Sequence, residues 1–269
     1  MMREPLRVIL AGATGWAGSA VARGIARAPD LHLVAGVARK DAGRPLGAVL
    51  EDKALKAPIY ATASEALASP CDVFVEFTKP DGAKSNIVAA LEAGAHVVVG
   101  TSGLSDEDYA DIDRIARTRE RGVLACGNFA LTVVLLQRFA EIAARYLDHF
   151  EIIDTAHEDK PDVPSGTARE LAYRLGRVKR PDPGIPLDEV RGPAAARGAT
   201  LNGVQVHSVR LPGFVIGVEA IFGAPGQRLH LTHHAGSSAE PYVDGTLLAI
   251  RKVDTLRGVH RGLDAVMSW

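Results

Sequence analysis

The chain has 269 residues, 47% hydrophobic and 23% charged, which is enough apolar material for two modest cores and too much for a disordered polypeptide. Lys and Arg total 31 against 32 Asp and Glu, a formal net charge of -1, so the basic footprint of a nucleic-acid binder is absent. The two cysteines, Cys71 and Cys126, cannot build a disulfide scaffold or a multi-cysteine metal site, and no apolar run reaches membrane-spanning length.

Leu6–Leu10 opens a series of short apolar runs expected as buried strands, followed by His32–Val37, Val73–Glu76, His96–Val99 and Val123–Ala125. Between them Ala17–Ala28, Asp81–Ala93 and Ser105–Arg121 carry helical periodicity, the last with an acidic first turn. Alternating strands and helices predict a doubly wound, Rossmann-like parallel sheet over residues 1–130. From Leu131 the pattern changes to a long helix (about Leu131–Tyr146), a strand (Phe150–Thr155), a polar loop and a helix from about Ser165. Residues 177–203, rich in Pro, Gly and Arg, read as an exposed excursion. Gln205–Leu211, Val215–Phe222 and Gln227–His233 read as neighbouring antiparallel strands, and a last helix near Pro241–Lys252 is expected to return to the first domain. The expected second domain, residues 131–239, is α+β with a mixed or antiparallel sheet that serves substrate binding and oligomerisation. The opening stretch MMREPLRVILAGATG is too quickly glycine-rich for a signal peptide, and with two cysteines the expectation is a cytoplasmic protein.

Gly12-Ala13-Thr14-Gly15-Trp16-Ala17-Gly18 follows the first strand and opens a helix, the setting of a dinucleotide-binding loop. One glycine permits the tight turn, one lets the backbone approach a pyrophosphate, and one allows close helix–strand packing. A glycine turn without a ligand is the plainer alternative. The second strand ends in Ala38-Arg39-Lys40 where an NAD enzyme carries a carboxylate for the ribose hydroxyls. Two cations there suit a 2′-phosphate, so NADPH is favoured and use of NADH stays open, as does a reading of Arg39 and Lys40 as solvated surface charges. Gly100-Thr101-Ser102-Gly103 and Cys126-Gly127-Asn128-Phe129, each at a strand end, fall where the nicotinamide half should lie.

In the second domain, Lys160 precedes Pro164-Ser165-Gly166-Thr167-Ala168 at a helix start. The N–H groups and hydroxyls of Ser165, Gly166 and Thr167 form an anion site suited to a carboxylate, and Lys160 can give a proton to a developing amine. Simple N-capping, with Thr167 and Glu170 as a capping box, is the bland reading and is compatible with binding. His233-His234 lack partners at ligand spacing, and Pro161 breaks any H-E-x-x-H pattern from His157, so no metal is expected. Aldehyde dehydrogenation would need an activated cysteine, for which Cys126 is the candidate and a core thiol the preferred reading. No Tyr-x-x-x-Lys string supports short-chain dehydrogenase chemistry.

The chain resembles the 4-hydroxy-tetrahydrodipicolinate (dihydrodipicolinate) reductase family through GATGWAG, VEFTKPDG, VVVGTSGLS, CGNFALTVVLL, EIIDTAHEDKPDVPSGTA and HSVRLPG, which cover nearly its whole length. The resemblance implies a two-domain, usually tetrameric reductase of lysine and diaminopimelate biosynthesis, delivering hydride from NAD(P)H to a cyclic imine dicarboxylate. It implies that Gly12 to Ala17, Arg39, Gly100 to Ser102 and Cys126 to Phe129 line the cofactor. His157, Lys160, Gly166 and Thr167 would meet the substrate, with Lys160 as proton donor. Three positions depart from the family pattern. Ala156 replaces the first of two adjacent histidines, an acid/base in the family, Gly217 replaces a later histidine, and an arginine is missing from HHAGSSAEPY. These departures leave open a paralogous imine reductase with another substrate, or a non-catalytic NADPH-binding protein.

Overall fold

A computed structural model describes residues 4–269, and the chain folds as two units, one comprising residues up to Leu131 together with Ala239–Trp269, the other Thr132–Ser238. The first begins with β1 (Leu6–Ala11), α1 (Trp16–Arg27), β2 (Leu31–Val37), α2 (Leu46–Val49), β3 (Ile59–Tyr60) and α3 (Ala63–Ala66). It continues through β4 (Val73–Glu76), α4 (Pro80–Glu92), β5 (His96–Val99), α5 (Asp106–Thr118) and β6 (Gly122–Ala125). Val8 to Ala11, Val73 to Glu76 and Gly122 to Ala125 are buried in unbroken runs, as strands covered by helices on both faces must be. α5 starts where the sequence signals it. Ser105 accepts from the Asp108 N–H, the Asp108 carboxylate accepts from the Ser105 N–H, and Asp106 and Glu107 complete an acidic first turn.

The second unit contains α6 (Leu131–Ala144), β7 (His149–Ala156), α7 (Gly166–Val178), β8 (Ala199–Leu201), β9 (Val204–Arg210), β10 (Ile216–Ala224) and β11 (Gln227–Ala235). Its five-stranded mixed sheet has the order β11-β10-β7-β9-β8. Phe150, Ile152, Val206, Val218, Ala220 and Phe222 point to one face and pack on Leu136, Ala140, Leu171 and Leu175 of the two helices.

The expectation of three neighbouring antiparallel strands needs correction. β10 and β11 form the hairpin, but β7 lies between β9 and β10, and β9 runs parallel to it with Ile152 opposite Val206. A central strand with a buried face must have both edges paired, and β7 takes one partner from each side of the Leu211–Val215 link. The excursion of residues 177–203 also contains the short strand β8 and two 3-10 turns, Leu187–Glu189 and Ala194–Arg197.

The chain returns to the first unit as α8 (Val243–Lys252) and β12 (Gly258–Arg261), with Pro241 in a preceding 3-10 turn. α8 packs on α1 where Gly24 leaves room for the Val243 side chain. β12 adds to the edge beyond β6, completing a seven-stranded parallel sheet of order β12-β6-β5-β4-β1-β2-β3. The order reverses between β1 and β4. In open α/β sheets the crevice at the carboxyl ends of such a pair is where ligands bind.

Candidate active site

In the first unit, the loops at the carboxyl ends of β1, β4 and β5 are shaped by contacts that a side chain would destroy. Gly12 sits at φ +79° with its Cα against the Phe77 carbonyl, and Gly18 lies so close to the Gly12 carbonyl that a methyl group there would overlap it. Gly15, the N-cap of α1, makes no side-chain cap, and its own N–H donates to Gly12 O at 2.9 Å. The N–H groups of the following turn, Trp16 and Ala17 included, are therefore left for an anion. Ala13 is buried and fixed by its N–H to Val37 O, while Thr14 is half-buried beside Gly15. Trp16 does not cover the loop from inside a core. It is 60% exposed, its ring edge-on to Tyr242 at 5.6 Å.

Arg39 and Lys40 lie in a 3-10 turn directly after β2, both exposed, and neither forms an ion pair among the described residues. The one carboxylate in the turn, Asp41, is already paired with Arg44 at 3.3 Å. Two such cations suit an anionic group.

On the other side of β1, Phe77 organises three loops. Its ring rests on Gly100, where no Cβ would fit, and meets Phe129 at 5.5 Å between centroids. Beneath it, Glu76 is wholly buried, its Oε1 accepting from the Thr78 N–H at 2.6 Å and its Oε2 from Asn86 Nδ2 at 2.8 Å. The buried Thr101 hydroxyl lies 3.0 Å from Thr78 O and 3.3 Å from Glu76 Oε1. Thr101 is thus an anchor, and exposed Ser102 is the group presented outward. Cys126 and Phe129 are buried, Gly127 is exposed, and Asn128 uses its Oδ1 to hold the Ala130 N–H at 2.8 Å. Sequence reasoning missed Glu76, Phe77 and Thr78. The signal was there, since VEFTKP follows a strand as the other loops do, but it contains no glycine to draw attention. A glycine-lined crevice with an uncapped helix start and free cations fits a nicotinamide dinucleotide.

In the second unit, the candidate substrate residues sit between β7 and α7. Lys160 is half-buried with its Nζ 2.7 Å from Asp162 Oδ1. His157 is exposed, its Nδ1 2.7 Å from Asp159 Oδ1 and 3.1 Å from Glu158 Oε2. The hydrogen bond to Asp159, aided by the Glu158 charge, raises its pKa above the ordinary histidine value and favours the imidazolium. Ser165 is 1% exposed and is the N-cap of α7, its Oγ accepting from the Ala168 N–H at 3.3 Å. The expected Thr167–Glu170 capping box does not form, because Ser165 already occupies the cap and Glu170 turns to Arg174 at 3.2 Å. Gly166 is exposed and Thr167 half-buried, and the nearest atom to a Cβ on Gly166 would be Arg169 Nη2 at 3.9 Å. The absent side chain leaves that N–H accessible to an anion.

Two of the departures from the family pattern meet on adjacent strands. Ala156 is fully buried at the end of β7, and Gly217 pairs with Thr155 beside it. A Cβ at position 217 would come within 2.6 Å of Thr155 Oγ1 and 2.7 Å of His234 Nδ1. The neighbouring side chains have closed over the space. His233, on the opposite face of β11, is buried against α6 with its Nδ1 2.9 Å from Thr132 Oγ1.

The family models for the N-terminus and the C-terminus of dihydrodipicolinate reductase match residues 6–129 and 132–267. The chain belongs to the dihydrodipicolinate reductase family. It is 38% identical over 275 residues to the 4-hydroxy-tetrahydrodipicolinate reductase of Thermosynechococcus vestitus, covering 99% of this chain and 98% of that protein. The reductase of Moorella thermoacetica is 38% identical over 270 residues, with 100% of both chains covered. Among solved structures, a dipicolinate-bound dihydrodipicolinate reductase from Paenisporosarcina sp. TG-14 superposes with a TM-score of 0.87 at 28% identity, covering 98% of this chain and 100% of that one. Membership in this reductase family makes the chain an NAD(P)H-dependent oxidoreductase with a nicotinamide cofactor. No helix among the described residues is long and apolar enough to cross a membrane.

Proposed function

We propose that the chain reduces 4-hydroxy-tetrahydrodipicolinate, a cyclic imine dicarboxylate, to tetrahydrodipicolinate with NADPH, in the cytoplasm and as a homotetramer. The observation that carries the substrate reading is the segment from His157 to Thr167, in which a lysine, a histidine held toward its charged form and an open helix N-terminus lie on one short stretch. NADPH, when bound, supplies the hydride. Gly12, Gly15 and the N–H groups of Trp16 and Ala17 hold its pyrophosphate, Arg39 and Lys40 its 2′-phosphate, and the loops at Gly100 to Ser102 and Cys126 to Phe129 its nicotinamide half.

The residues of the second unit bind and protonate. The Gly166 and Thr167 N–H groups donate to a carboxylate, where the helix dipole favours negative charge. The His157 imidazolium adds a charge-assisted contact to a carboxylate. In this reduction the 4-hydroxyl leaves as water, one hydride and one proton enter, and the ring C=N bond is kept in the product. Lys160, oriented by Asp162, would supply from its Nζ the proton that is taken up. Alanine at 156 cannot move a proton, so the donor's work falls to Lys160, supported by His157. That replacement, with Gly217 beside it, also favours a second reading, a related cyclic imine with a differently shaped ring.

The test follows NADPH absorbance after mixing with freshly generated 4-hydroxy-tetrahydrodipicolinate, with NADH alongside. Fast, NADPH-preferring oxidation is expected, and Lys160→Ala should lower turnover by about 10²-fold or more while leaving NADPH affinity nearly unchanged. Tight NADPH binding without turnover would favour the second reading. A parallel loss of both properties in Lys160→Ala would remove the lysine from the role of proton donor.

A further inference from the structure

The segment that carries Lys160 and the anion site is fastened to the sheet at two points, and one buried ion pair makes both attachments. Asp154, on β7, is wholly buried, and its Oδ2 accepts from the Ser165 N–H at 3.0 Å, from Ser208 Oγ at 3.0 Å and from Arg210 Nη2 at 2.8 Å. Arg210 ends β9 and stands opposite Ala156 in the ladder. Its Nη2 also donates to the Asp162 carbonyl at 2.8 Å, and its Nη1 to Val209 O at 2.9 Å. Asp162 is in turn the partner of Lys160. The two attachment points thus bracket the segment between the Lys160 partner and the first residue before Gly166.

The pair does not adopt the geometry that would stabilise it best. An arginine and a carboxylate ordinarily meet through two parallel hydrogen bonds. Here Arg210 Nε and Asp154 Oδ1 are both buried and keep no partner among the described residues, although one is a donor and the other an acceptor. Leaving both unpaired is unfavourable, so the guanidinium forgoes the second prong while its Nη2 is shared with the Asp162 carbonyl. Buried ion pairs are in general poor sources of net stability and are better understood as devices that fix a geometry.

We propose that Arg210 and Asp154 are positioning residues for the substrate site, setting the spacing between the Lys160 ammonium and the Gly166 and Thr167 N–H groups and thereby the affinity for a dicarboxylate. This rests on the reading of that segment as the substrate site. Neither residue touches the substrate; both act through Asp162 and Ser165. A lysine at 210 keeps the charge but is a single ammonium without the planar fork that reaches two acceptors, so it should restore only part of the effect.

The experiment compares the full-length wild type with Arg210→Met, Arg210→Lys and Asp154→Asn. Binding of pyridine-2,6-dicarboxylate to the NADPH-loaded protein is measured by calorimetry, alongside kcat, KM, NADPH affinity and hydrogen exchange of residues 157–167. In Arg210→Met the dicarboxylate Kd and the KM should rise about tenfold or more, with faster exchange at Ser165 and an unchanged NADPH Kd, because displacing a binding group by even an ångström is costly. Arg210→Lys should fall between, and Asp154→Asn should resemble Arg210→Met. If exchange quickens while dicarboxylate Kd and KM stay at wild-type values, the pair does not position the site. If NADPH affinity falls in step, or Arg210→Lys is no better than Arg210→Met in every readout, the pair is a general structural element and the proposal fails. A wild type that neither binds the dicarboxylate nor turns over the imine overturns the substrate reading, and this proposal with it. A competent wild type with an indifferent Arg210→Met overturns the proposal alone.

Discussion

Arg39 and His157 show how much a single charge decides at this site. Among the described residues Arg39 has no carboxylate partner, so on the proposed reading its charge meets a 2′-phosphate. Replacing it with alanine should weaken NADPH by about tenfold and NADH hardly at all, in line with about 1.5 kcal/mol for a charge-assisted hydrogen bond. Equal losses for the two cofactors in a fluorescence titration would reject the phosphate assignment. For His157 the sign follows from the raised pKa. The imidazolium is fully present below about pH 6.5, the ordinary value, and is lost as pH climbs through the higher folded value. Dicarboxylate affinity should therefore fall on the alkaline side, and Asp159→Asn should move that fall to lower pH because Asp159 is the main cause of the shift. An unmoved midpoint in binding titrations would show that His157 does not carry the dependence. The sequence announced both residues, since a cation after a second strand and a histidine beside a lysine are local patterns. It could not announce Asp154 or Arg210. These lie 56 positions apart and matter only because β9 pairs with β7. Burial pushes the Asp154 carboxyl up, but hydrogen bonds from Ser165, Arg210 and Ser208 outweigh it and hold the group below its ordinary range.

At the scale of elements, the strand–loop–helix unit β1-Gly12-α1 was legible because each of its requirements is local. The glycines mark a turn, a backbone approach and a helix–strand contact, and Gly12 and Gly18 prove to be in contact with each other. Gly18→Ala drives a methyl group into the Gly12 carbonyl, so it should destabilise the unit by about 1–3 kcal/mol and abolish tight NADPH binding. A variant with wild-type melting temperature and NADPH Kd would show that the loop is looser than this packing implies. The start of α5 was equally readable from Ser105 and its acidic turn. The sequence places the start of α7 correctly but points to the wrong cap. Thr167 and Glu170 have capping-box spacing, yet Ser165 and Pro164 precede them and the helix begins earlier. The pairing of β9 is hidden from the sequence for a different reason. Short turns between apolar runs suggest hairpins, and nothing within residues 205–222 reveals that β7 must come between them.

For the whole molecule, the five-stranded sheet has one face covered by α6 and α7, while the other meets the excursion at Glu151, which pairs with Arg197 of the second 3-10 turn. Along β7 and β10 the second face carries Glu151, Ile153, Thr155, Glu219 and Ile221, all half-buried side chains of mixed polarity. If this face is the contact between subunits, light scattering should give about four times the 28.4 kDa chain mass. A species at 28.4 kDa across a wide concentration range would refute the tetramer.

The sequence alone determined the alternation of strands and helices, the glycine loop, the two cations after β2 and the segment from His157 to Thr167. Each of these depends on residues within about one turn or one strand of each other, where sterics and hydrogen-bonding capacity act locally. Tertiary structure decided the rest. It brought Phe77 over Gly100 and against Phe129, buried Glu76 beneath three loops, placed β7 between β9 and β10, and joined Asp154 to Arg210. Contacts of that kind form only after distant strands have paired, because their register is set by which faces the whole sheet must bury and not by any neighbour along the chain.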